Sequence, residues 1–154
     1  MDKRTAALHA YTAIRNALDS RKWKYDTDDE EKLVHFGVNG DDLPMDFIFF
    51  VDEDRQLVRL LSPMPFKMAE DKRVEGAIAT CHATYGLVDG SFDYDLSDGQ
   101  ITFRMTTPFH GEKISEGVIQ YLIDIASIVV DKYNDKFFAL SKDHIKIADF
   151  MKDD

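Results

Sequence analysis

The chain has 154 residues, with 29 acidic side chains against 19 basic ones and a formal net charge of −10. That length suits one domain whose core stands without staples, and the single cysteine, Cys81, excludes both an intramolecular disulfide and a cysteine-built zinc site. The negative charge repels phosphate backbones and anionic lipid, and no apolar run approaches the ~20 residues that span a bilayer.

Neither nucleic acid nor membrane is therefore an expected partner. The charged start, Met1-Asp2-Lys3-Arg4, does not read as a secretory leader, and the expected setting is reducing and cytoplasmic.

From about Lys3 to Arg21, the residues Ala7, Tyr11, Ile14 and Leu18 recur at helical spacing and predict an amphipathic helix. Trp23 and Tyr25 follow and read as core or rim aromatics. The acid-rich runs Asp26 to Glu31 and Asp52 to Asp54 read as solvated turns. Between Lys32 and Val38, the residues Val34, Phe36 and Val38 alternate with His35 and Gly37, as a strand with one buried face requires. Asn39-Gly40-Asp41-Asp42 supplies a turn, and Met45 to Val51 and Gln56 to Leu61 are apolar runs on either side of a hairpin loop. A three-stranded antiparallel meander is predicted. Pro63 and Pro65 are expected to end it, because each lacks the donor that a ladder needs.

A second helix is expected between Lys67 and Tyr85, with Val74, Ala77, Ile78, Cys81 and Tyr85 as its core stripe and Cys81 as a packed structural thiol. Gly86 marks its exit. Strands from Ser91 to Leu96 and from Gln100 to Thr106 flank the turn Ser97-Asp98-Gly99, and Phe92, Tyr94 and Leu96 share a side with Ile101, Phe103 and Met105. Ser115 fits an N-cap, with Ile114 facing Ile119 as a hydrophobic staple, and Val118, Leu122, Ile125, Val129 and Tyr133 form the stripe of a third helix. Phe137, Phe138, Ile145, Ala148 and Phe150 either prolong that helix or build a short one after Ser141. Residues 138–154 thus read as a C-terminal helical extension of one domain spanning 1–154. The order is αβββαββα, an α+β protein whose antiparallel sheet carries its helices on one face.

No residue set supports chemistry. His9, His35, His82, His110 and His144 fall in separate elements, without the spacing that puts two ligands on one helical face. Asp93-x-Asp95-x-Ser97 begins like a calcium loop, but Asp98 holds the position that needs glycine and Arg104 the one that needs a bidentate glutamate. Phosphate-cradling glycine motifs are missing. Cys81 and His82 are adjacent on a helix, about 100° apart, which does not make a nucleophile–base pair. Arg59 and Arg104 lie inside strands, where pairing with nearby aspartates accounts for them. No catalytic residue, cofactor or metal is expected.

The meander is unusual in having apolar residues on both faces. Phe47, Phe49 and Val51 alternate with Ile48 and Phe50, and Leu57 and Leu61 alternate with Val58 and Leu60. Ile48, Phe50, Val58 and Leu60 are accordingly the candidate interface, because helices on one side of the sheet leave the other uncovered. Two covers are open: the C-terminal segment folding back through Phe137, Phe138, Ile145 and Phe150, or a second molecule.

The run from Arg73 to Phe137 resembles the YbjN family. The likeness is carried by a helix ending in Tyr85-Gly86, then Gly90-Ser91-Phe92, then Asp98-Gly99-Gln100-Ile101 with Phe103-Arg104, and a long helix ending Asp131-Lys132-Tyr133. Arg21-Lys22-Trp23-Lys24-Tyr25 before the acidic turn extends it upstream, so that roughly residues 3–140 are covered. The chain departs from the family at Thr84 and Ser91, where relatives often carry asparagine. The resemblance implies a type III secretion chaperone-like α+β fold, frequent dimerisation and no established enzymatic chemistry. A non-enzymatic, chaperone-like protein- or peptide-binding module acting as a homodimer is the expectation. The alternative is a small-molecule or ion sensor with a pocket between helix and sheet.

Overall fold

The computed structural model describes residues 1–152. Helix α1, Lys3–Ser20, is started by Asp2, whose carboxylate accepts the Thr5 N–H at 2.7 Å. A face of alanines with Tyr11, Ile14 and Leu18 buries it. Strands β1 (Asp26–Asp28), β2 (Leu33–Asn39), β3 (Pro44–Asp52) and β4 (Leu57–Lys67) follow, then α2 (Arg73–Tyr85), β5 (Ser91–Tyr94), β6 (Gln100–Pro108), α3 (Glu116–Ser141) and α4 (Ile147–Phe150). All strand pairings are antiparallel, in one sheet of order β1-β2-β3-β4-β6-β5. The α+β architecture is the one expected, with two additions. The acidic run contributes the short edge strand β1 as well as a turn, and its five exposed acids, Asp26, Asp28, Asp29, Glu30 and Glu31, keep that edge from templating another chain. The other is α4, four residues long, which realises the second of the two expected alternatives, a short helix after Ser141.

The prolines do not end β4, contrary to expectation. Beyond Leu61 the strand pairs only with β6, and a register shift falls between Pro63 and Lys67. Missing donors are tolerated at such a one-sided, bulged stretch. At the other hairpin β5 stops at Tyr94, two residues early, because Asp95 turns the chain. Its carbonyl accepts the Gly99 N–H at 2.7 Å and its carboxylate accepts from Ser97. Leu96 is consequently exposed and leaves the core row. Gly99 has φ +82° and lies against the Met68 backbone, a conformation and a closeness that only glycine allows.

One face of the sheet carries the core. Phe36 stacks on Phe47 and Phe49 with centroids 5.3 and 5.8 Å apart, and α1 and α3 close over them together with Val58, Leu60, Phe103 and Met105. Each such phenylalanine stabilises the fold by about 1.5–3 kcal/mol. Ser115 caps α3 as expected, accepting the Val118 N–H at 3.1 Å. The buried row of α3 is Ile119, Leu122, Ile123, Ala126 and Val130, continuing to Phe137, so most of the stripe expected at Val118, Ile125 and Val129 sits about one residue, or 100°, to its side. That helix is apolar on several faces, and period alone does not select among them.

Candidate protein-binding surfaces

Register divides the four candidate interface residues into two pairs. Phe49 lies opposite Leu60 and Val51 opposite Val58, so Val58 and Leu60 share the core face and are fully buried there. They are not surface residues. The outer face is built by Ile48 opposite Leu61 and Phe50 opposite Arg59, with Leu33 beside Phe50 and His35 beside Ile48. The parity of each strand was legible; the pairing of one strand's parity with the next needs the turn to be counted, and Gln56, with φ +57°, takes up a residue there.

This outer face is half-buried by its own neighbours and remains separate from the core. Ile48, Phe50 and Leu61 stand outside the main cluster, on the strand parity opposite the buried Phe47, Phe49, Val58 and Leu60. The Arg59 guanidinium lies 5.8 Å from the centre of the Phe50 ring, which screens it without enclosing it. The expected pairing of Arg59 with aspartate is not made, whereas Arg104 does pair with Asp93 at 2.7 Å. His35 sits between Asp26 and Asp46 at 3.9 and 3.3 Å along the same face.

The C-terminal segment does not roof that face. α4 folds onto the helical side, and Phe150 is fully buried 5.1 Å from Phe137 and 6.4 Å from both Tyr133 and His82. Asp153 and Asp154 lie outside the described residues.

A second apolar surface lies where a core stripe was expected. α2 buries Gly76, Ala79, Thr80 and Ala83, and its larger residues point outward: Val74 is 73% exposed, Tyr85 is 91% exposed, and Ile78 and Cys81 lie between them. The expected packed thiol is therefore an exposed one. Close approach explains the inversion. A Cβ on Gly76 would stand 2.5 Å from the Tyr94 hydroxyl and 2.8 Å from Met68, so the helix can come down only on its small side. The small residues at 76, 79, 80 and 83 were the signal for this, outweighed by the greater hydrophobicity of the opposite row. Two open grooves of about 530 and 610 Å³ flank that row, the first bordered by Val74, Ile78, His82 and Met151, the second running between α2 and β5 past Thr80, Thr84 and Leu96.

The polar groups near these surfaces serve structure. Thr80 donates to the Gly76 carbonyl at 2.9 Å, and Thr84 accepts the Phe92 N–H at 2.9 Å, closing the β5 edge. Burial pushes the Tyr94 hydroxyl's pKa up, and that hydroxyl donates to the Arg73 carbonyl. The Gln100 N–H, then Lys67, holds the Asp98 carboxyl below its ordinary range, which fixes the turn. The five histidines stay apart, and no group of histidine, cysteine, aspartate and glutamate among the described residues is arranged to hold a metal ion. Among the same residues, no helix is long and apolar enough to cross a membrane.

The YbjN family model, described as "Putative bacterial sensory transduction regulator", matches residues 11–139. The chain belongs to the YbjN family. Its fold is type III secretion chaperone-like: a chain of the solved HopA1–SchA chaperone–effector complex superimposes with a TM-score of 0.55 at 13% identity, covering 85% of this chain and 97% of that one. None of the curated proteins matches the sequence. The YbjN match contains α2 and the outer sheet face, and α4 lies beyond it.

Proposed function

We propose that this YbjN protein is a non-enzymatic, chaperone-like module that binds a protein or peptide client on its outer sheet face and works as a homodimer in the reducing cytoplasm. The observation that carries this reading is the half-buried apolar row Ile48, Phe50 and Leu61, which stands outside the core cluster and which α4 does not contact. Water at that row is costly, and an extended apolar segment laid across the strands removes it. The outward row of α2 suits a second copy. It is uncharged, and Val74, Ile78, Cys81 and Tyr85 along it are exposed. The likeness to a chaperone–effector complex supports a protein client.

The sensor reading is weaker on this geometry. The groove between α2 and β5 has the size of a ligand site, but Thr80, Thr84 and Tyr94 are engaged with backbone groups and Asp93 with Ser91 and Arg104, which leaves few polar handles to orient a small molecule.

The test is a display library of unstructured peptides panned against immobilised wild-type protein and Phe50→Asp. Wild type enriches apolar sequences, and the variant, shown folded by circular dichroism, does not. Equal enrichment by both overturns the assignment of the sheet face.

A further inference from the structure

The burial of Phe150 is out of proportion to the element that carries it. α4 is four residues long, its Ala148 and Asp149 are exposed, and it follows a turn in which Asp143 has φ +60°. Yet its one phenylalanine is fully enclosed by an aromatic socket made by Tyr133 and Phe137 of α3 and His82 of α2. On their other side Tyr133 and Phe137 pack against Phe92, at 5.4 and 5.0 Å, so the socket rings have a contact that does not involve α4.

Its rim is basic on a protein of net charge −10. The Lys136 ammonium lies 4.8 Å from the centre of the Phe150 ring, and Lys132 lies 5.2 Å from that of Tyr133. Lys72, also paired with Glu75, reaches Asp143 at 2.7 Å. Asp143, ahead of the anchor, meets this rim at Lys72 with its carboxylate half-exposed, whereas the pairs Asp143–Lys146 and Asp149–Lys152 lie within the tail itself. Exposed pairs of this kind hold weakly. The anchor's neighbour, Met151, opens directly onto the groove along Val74 and Ile78.

We propose that the socket under α4 is a recognition site for a short peptide with a single aromatic anchor preceded by an aspartate, and that Phe150 fills it in the resting chain as a built-in competitor. Lys72 selects the aspartate and the three rings select the anchor. The site is distinct from the outer sheet face and does not depend on it. A partner peptide gains the socket only when the tail swings out at the Lys142–Lys146 turn, so affinity is lowered by the fraction of time the tail is docked.

The experiment uses the full-length chain and a fluorescent synthetic peptide with the sequence of residues 143–152, read by anisotropy. Phe150→Ala binds it saturably, wild type binds it at least about tenfold more weakly because its own tail competes, and a peptide with alanine for the phenylalanine does not bind. Equal binding by wild type and variant, or no binding by a folded variant, overturns the proposal. Undiminished binding of a peptide in which the residue matching Asp143 is lysine overturns the aspartate requirement. Hydrogen exchange on wild type covers the case in which Phe150→Ala fails to fold. The Phe150 and Met151 amides, which bond to Lys146 and Ile147 carbonyls, exchange through a local opening well before the α3 core. Exchange of those amides only with global unfolding makes α4 part of the core and ends the proposal.

Discussion

Gly76 lies beneath the ring of Tyr94, with the space for a Cβ only 2.5 Å from the hydroxyl oxygen and 2.8 Å from Cζ. This contact sets how α2 meets the sheet, because the Tyr94 hydroxyl donates to the Arg73 carbonyl at 2.8 Å and pins the start of the helix to the end of β5. Gly76→Val is expected to cost about 1–3 kcal/mol through overpacking, against the gain in helix propensity. Urea denaturation measures it, with an unchanged m-value showing that the native surface is preserved.

The outward row of α2 is then free for a partner. Ile78→Asp is expected to leave stability within about 0.5 kcal/mol of wild type, as surface changes do, while converting a dimer into a monomer. Light scattering combined with thermal denaturation reads both. A dimer of unaltered mass and dissociation constant places the contact elsewhere on the molecule.

Most elements were legible because their boundary chemistry is local: Ser115 caps α3, and Gly99 turns the last hairpin. The faces were harder. On α2 the larger, more apolar row is the outer one, because helix–sheet distance is limited by Tyr94 and Met68, residues whose proximity to Gly76 no local pattern records. On the meander, alternation identified two apolar faces on each strand, but cross-strand register decided which residues share one. That register put Val58 and Leu60 inside and Leu61 outside. The prolines of β4 misled for a similar reason, since tolerance depends on whether β3 still runs alongside.

Two adjacent leucines test the register. Leu60→Ala empties a fully buried site facing Phe49 and is expected to cost about 2–5 kcal/mol. Leu61→Ala removes a half-buried side chain beside Ile48 and is expected to cost about 1 kcal/mol. Paired denaturation curves measure the difference, and comparable losses at the two positions contradict the face assignment.

Asp135 supplies a pH-dependent test of the helical layer. Burial, followed by the nearby Asp42 carboxylate, raises its pKa above the ordinary aspartate range. A carboxyl whose folded pKa lies above its unfolded one favours the folded state in its protonated form. That contribution is complete below the unfolded value of about 3.9 and is lost as pH rises through the folded pKa. At neutral pH wild type therefore carries an unfavourable charge in α3, where the Asp131 carboxylate already accepts the Asp41 N–H and ties the β2–β3 turn to the same helix. Asp135→Asn removes that charge and keeps the shape. Its Tm is expected to exceed that of wild type at pH 7, and the two are expected to converge as pH falls below about 4. Thermal denaturation across that range checks the sign: a gap that widens on acidification would show instead that the ionised carboxylate stabilises the fold.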